Sequence, residues 1–173
     1  LKEIKQSSSS AMIRRFHFHA FFKHGLNQTL LHLIDSRQND FKELLSAPIL
    51  VNSFRASEDV IVKLLEIYKE EIEKTLGHRN TRNENLLHVL IDKGFQNAIS
   101  CLFSFYDVAS LCFEHNLAGD TPLMTMIPKE LFSLEKITVW NCMVKKGNMN
   151  DLLASITYTN EKGSNILHLC AEN

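Results

Sequence analysis

The stretch Asn83-Glu84-Asn85-Leu86-Leu87-His88 decides how this chain reads, because versions of it return three more times. They are Asn27-Gln28-Thr29-Leu30-Leu31-His32, Gly119-Asp120-Thr121-Pro122-Leu123-Met124 and Gly163-Ser164-Asn165-Ile166-Leu167-His168. The first column holds Asn or Gly, which enter the left-handed backbone region most cheaply and so mark the corner of a tight turn. The third holds Thr or Asn, whose side-chain oxygens cap helix N-termini. Pro122, in the fourth, suits the first position of a helix. The fifth is always leucine. A corner, a cap, a helix start and a core leucine in fixed order predict a repeat built of turns and helices.

Outward from Asn83, Leu86 to Lys93 reads as a helix with Gly94 as its left-handed stop. Asn97 to Phe105 reads as a second helix, with Ile99, Leu102 and Phe103 on its apolar side. The third copy offers Asn116-Leu117-Ala118-Gly119 as its turn and Met143 to Gly147 as a helix ending. The fourth offers Asn160-Glu161-Lys162-Gly163 and then Asn165 to Ala171. This order resembles the ankyrin repeat, whose hallmark is a Gly-x-Thr-Pro-Leu-His stretch opening the first of two antiparallel helices.

The resemblance covers 27–47 and 80–173 and implies an all-α fold, an ankyrin-type helical-repeat solenoid with short turn fingers. Repeat lengths are irregular. His32, His88, Met124 and His168 stand 56, 36 and 44 residues apart, against about 33 in the family. The expected units are 25–47, a degenerate or inserted unit over 48–79, then 80–115, 116–150 and a partial 160–173. Residues 1–10 read as a linker or remnant, and 11–173 as the repeat domain. Leu90-Ile91 and Met126-Ile127 stand where the family prefers small alanines, which implies wider spacing or splay between units. The resemblance also makes His32, His88 and His168 structural ties between neighbouring repeats.

Further helices follow from periodicity. Ser57 reads as a cap with Glu58 and Asp59 in the favourable first turn. Ile61, Leu64, Leu65, Tyr68, Ile72 and Leu76 then recur at helical spacing as far as Gly77, predicting one long helix. Ser133 opens another, through Ile137, Trp140 and Val144 to Gly147, with Trp140 expected to be buried between helices. Met12 to His24 is apolar and aromatic enough for a helix that Gly25 stops. No run alternates with the strand period, so almost no sheet is expected.

Composition narrows the function classes. The 173 residues are 45% hydrophobic and carry 19 Lys+Arg against 20 Asp+Glu, for a formal net charge of -1. That content supports a packed core rather than disorder. The balance lacks the basic excess on which phosphate-backbone binding depends. No apolar run approaches the roughly 20 residues of a transmembrane helix, and the first residues show no signal-peptide pattern. Cys101, Cys112, Cys142 and Cys170 are scattered, without C-x-x-C pairs, and read as small buried hydrophobes in a cytoplasmic protein, with the nucleus as the alternative.

No constellation predicts chemistry. His17 and His19 point about 200° apart on a helix, and His24 lies two turns beyond, so no zinc-like ligand set forms. Neither a nucleophile elbow nor a phosphate-cradling glycine loop is present. No metal, cofactor or catalytic residue is therefore assigned, and the chain reads as no enzyme.

The function expected is a protein–protein interaction module. Its partner would meet the fingers and inner helices, the concave surface that solenoids expose. The candidate recognition residues are the polar ones flanking the fixed columns. They are His78, Arg79, Arg82 and Glu84, then Glu114, His115, Asn116 and Asp120, then Glu161, Lys162 and Ser164. The alternatives are a regulatory or targeting ankyrin domain of a larger enzyme, ion channel or secreted bacterial effector, and a scaffold that self-associates through an uncapped end. Because the last unit stops after one helix, the array reads as part of a longer chain.

Overall fold

The computed structural model describes residues 20–36, 48–52, 55–129, 133–146 and 149–172. In chain order its helices are α1 (Asn27–Ser36), α2 (Pro48–Val51), α3 (Glu58–Ile67), α4 (Lys69–Glu73), α5 (Leu86–Lys93), α6 (Gln96–Phe105), α7 (Pro122–Met126), α8 (Ser133–Lys146), α9 (Met149–Thr157) and α10 (Ile166–Glu172). A 3₁₀ turn spans Ser110–Phe113, and 20–24 are also helical. Among the described residues there is no strand, so the fold is all-α. None of their helices is long and apolar enough to cross a membrane.

The helix ends follow the capping chemistry expected of them. Asn85 sits in extended backbone and its Oδ1 accepts the His88 N–H at 3.1 Å, opening α5. Thr121 does the same for Met124 at 3.3 Å, with Pro122 in the first turn of α7. Asn165 accepts the His168 N–H at 3.0 Å and opens α10. Gly94, at φ 77°, closes α5 by donating to the Ile91 carbonyl at 3.1 Å. Phe95, which precedes α6, has no capping oxygen. Glu58 in α3 supplies it instead, accepting from the Ala98 N–H at 3.1 Å and from Asn97 Nδ2 at 3.3 Å.

Burial then assembles the elements. Helix α3 packs against both α1 and α6, while α5 packs against α6 and α7, and α7 against α10. Between α3 and α6 lie Ile61, Leu64, Leu65, Ile99 and Leu102, all buried. Leu90, Ile91, Met126 and Ile127 are buried too. Helix α8 closes over α6, α7 and the 3₁₀ turn, and α9 lies against α8 and α10.

Five expectations need correction. The copy at 27–32 is out of phase. Gly25 holds the left-handed corner at φ 67°, and Asn27 is already the first residue of α1. The bonds Gly25 N–H to Phe22 O, Leu26 N–H to Phe21 O and Asn27 N–H to Gly25 O match those at Gly94, Phe95 and Gln96. Thus α1 is entered through the same turn as α6. Thr29 and His32 lie exposed within it, with no cap or tie to another element among the described residues.

The long helix predicted from Ser57 to Gly77 breaks at Tyr68, where φ −109° and ψ 47° separate α3 from α4. Ser57 has a cap's backbone but no side-chain cap bond, and its N–H donates to Asn27 Oδ1 at 2.9 Å. Trp140 is 37% exposed rather than buried, and Ile137 and Val144 also face solvent, because Val139 of α8 is what meets the core. Helix α9 was not expected at all. The predicted helix from Met12 is described over 20–24 alone; its earlier part, residues 1–10, and 37–47 lie outside the described residues.

Candidate functional site

The residues singled out for recognition converge on three turns that share one construction. Asn80 leads the first: its Oδ1 accepts the N–H groups of Arg82 at 2.9 Å and Glu84 at 3.0 Å. Its own N–H donates to the Glu84 carbonyl at 3.0 Å, and its carbonyl accepts from Asn83 N–H at 3.0 Å. Asn116 repeats all four bonds with Ala118, Asp120 and Gly119, and Asn160 repeats them with Lys162, Ser164 and Gly163. An asparagine side chain bonding two residues ahead is a local substitute for a backbone turn. Each finger closes through a left-handed residue: Asn83 at φ 58°, Gly119 at 78° and Gly163 at 75°.

Neighbouring fingers are joined by the same backbone bond. The Leu117 N–H donates to the Arg82 carbonyl at 2.9 Å, and the Glu161 N–H to the Ala118 carbonyl at 3.0 Å. Side chains reinforce both joints. Asn83 Nδ2 donates to the His115 carbonyl at 2.8 Å, and Asn160 Nδ2 to Asp120 Oδ1 at 2.7 Å. Arg79 pairs with Glu114 at 3.1 Å, and Glu114 also accepts from Asn85 Nδ2 at 2.7 Å.

His88 links α5 to the second finger. Its Nδ1 lies 2.8 Å from Asn85 Oδ1 and its Nε2 lies 2.9 Å from the Asp120 carbonyl. Burial lowers its pKa, against the opposing pull of the Asp120 carbonyl and the carboxylates of Glu84 and Glu114; Arg79 adds to the lowering. His115 stacks on Tyr158 with ring centroids 4.0 Å apart, and its pKa is lowered by burial and by Arg79.

The structure divides the eleven candidates by what their side chains touch. Glu84 is 8% exposed and turned inward, accepting from Asn80 Nδ2 at 2.7 Å and pairing with Arg82 at 2.9 Å. Arg79, Glu114 and Asp120 spend polar groups on joining one finger to the next, while Asn116 Oδ1 closes its own turn. His115 is half-buried by its stack, and Ser164 is half-buried too. His78, Glu161 and Lys162 keep exposed side chains. Sequence reasoning missed Asn80 as the leader of the first finger. The spacing Asn80-x-x-Asn83, Asn116-x-x-Gly119, Asn160-x-x-Gly163 carries that signal three residues ahead of the column it followed. Tyr158, which covers Gly119 and His115, has no signal of its own.

These contacts brace the three turns against one another. Cys112 is fully buried and its thiol is pushed well up by desolvation, with Cys142 and Glu114 adding to the rise. Among the described residues no group of three or more His, Cys, Asp or Glu could hold a metal ion. His24 is exposed, while His17 and His19 lie outside the described residues. Compared with protein families, curated proteins and solved structures, the chain finds no match.

Proposed function

We propose that this chain is a protein-binding module of ankyrin type, in which helix pairs stack in two rows and the fingers present the recognition edge. In this reading α2, α5, α7 and α10 form the inner row, and α1, α3, α6 and α8 the outer one. The module carries out no reaction of its own. The observation that carries the reading is the threefold repetition of the Asn80, Asn116 and Asn160 turns, bonded to one another by equivalent N–H groups. A braced row of turns holds side chains at fixed intervals, and rigid placement lowers the entropy cost of binding. His78, Glu161 and Lys162 are the residues best placed to read a partner, since they are exposed while their neighbours are committed to bracing.

The test is capture of a partner by the intact chain, followed by His78→Glu with Lys162→Glu as one variant. The control is Glu70→Lys with Lys74→Glu, two exposed positions outside the fingers. The finger variant should lose most of the captured partner and the control should keep it. The opposite ranking removes the finger reading.

A further inference from the structure

The apolar residues of α8 do not all face inward. Leu134, Ile137, Trp140 and Val144 are exposed, while Val139 is buried. At about 100° per residue, Trp140, Val144 and Ile137 fall within about 60° of one another, and Leu134 extends the stripe. Beside it lies an apolar groove of about 350 Å³, walled by Ile127, Ile137, Trp140, Ile166, Leu167 and Cys170. Solitary exposed hydrophobes are ordinary, but a contiguous apolar stripe running into a groove marks a docking face.

Charge says what fits there. Lys136 sits about 40° beyond Trp140 on one side of the stripe and Lys145 about 20° beyond Leu134 on the other. Lys136 forms part of the groove wall and anchors it, its Nζ donating to the Ile127 carbonyl at 2.6 Å. Lys145 is exposed. The one carboxylate of α8, Glu135, is buried and presents no negative charge to the stripe. The face is thus apolar along its middle, interrupted only by the exposed Asn141, and positive along both edges.

We propose that the outward face of α8, with the groove beside it, docks an amphipathic helix of a partner protein whose apolar stripe is edged by carboxylates. Anchors of that helix at three- and four-residue spacing lie along Leu134, Ile137 and Val144. One bulky apolar anchor enters the groove against Trp140 and Leu167. The flanking carboxylates meet Lys136 and Lys145, fixing orientation. This site is separate from the fingers and stands or falls independently of them.

Trp140 is the sole tryptophan of the chain, so it reports occupancy directly. The intact chain is titrated with a synthetic helix bearing leucines along one stripe and glutamates on both edges. A saturable blue shift of Trp140 emission is expected. Lys145→Glu, a change on an exposed side chain, should weaken the binding about five-fold, and Leu167→Ser should also weaken it. Three outcomes overturn the proposal: no shift with the glutamate-edged helix, an equal shift with a lysine-edged one, or binding unaffected by Lys145→Glu. A shift with protein concentration alone assigns the face to a second copy, and a shift on anionic vesicles assigns it to a lipid surface; either also overturns the proposal.

Discussion

Single residues differ sharply in what they hold. At Gly119, φ is +78° and an added Cβ would lie 3.0 Å from Asn160 Cα and 3.4 Å from Glu161 N, both backbone atoms of the next finger. Gly163 has a similar φ but nothing within 4 Å of its Cβ position. Gly163→Ala should therefore cost about 1 kcal/mol for the left-handed backbone, and Gly119→Ala measurably more, as read by urea unfolding. Caps make a second contrast. Thr121→Ala removes a bonded cap and should cost about 1 kcal/mol. Ser57→Ala should change stability by less than about 0.5 kcal/mol, because its hydroxyl caps nothing.

His88 gives a pH prediction of definite sign. Its folded pKa lies below the ordinary value because burial disfavours the charged ring. The unfolded chain therefore takes up the proton first. Stability is fully present above about pH 6.5 and declines as the pH falls through the window below it. Unfolding midpoints at neutral and mildly acidic pH should show this loss, and His88→Gln should flatten it. His115 contributes with the same sign.

At the scale of elements, helix ends are completed by other helices. Glu58 caps α6 from α3, so Glu58→Ala should destabilise by about 1 kcal/mol although it lies on a different helix. A circular dichroism melt would check it against Glu70→Ala, which should be nearly silent. Tyr68 marks the opposite situation. Its ring is buried, its hydroxyl has no partner among the described residues, and burial with the nearby carboxylates of Glu71 and Asp35 pushes its pKa up to about 12. Removing an unsatisfied buried hydroxyl is nearly neutral or stabilising, so Tyr68→Phe should leave the melting temperature unchanged or raise it.

Across the whole molecule, what packs on a helix outweighs position in the motif. Leu87 and Leu167 occupy the same column, yet Leu87 is 0% exposed and Leu167 62%. The difference is that α7 packs on α5, whereas Leu167, His168 and Cys170 of α10 are exposed among the described residues. Leu87→Ala should cost about 2–5 kcal/mol by leaving a cavity, and Leu167→Ala less than about 0.5 kcal/mol. Denaturant unfolding of the two variants side by side tests this.

The local code of turns and caps was legible from the sequence alone. Asn85, Thr121 and Asn165 cap where their side-chain chemistry places them, Gly94 stops α5, and the all-α character follows from 3.6-residue periodicity. These outcomes depend on bonds within a few residues of chain, so composition and spacing suffice. Tertiary packing decided the rest. Asn27-Gln28-Thr29-Leu30 carries the same motif letters as the true fingers, but it follows a left-handed Gly25 and is absorbed into a helix against α3. Trp140 fits a core pattern by spacing, yet α8 turns Val139 inward and leaves Trp140 at the surface. Arg79, Glu114 and Asp120 read as surface polar residues, and only the approach of one finger to the next made them braces. Long-range partners are set by which surfaces meet, and a one-dimensional pattern does not contain that information.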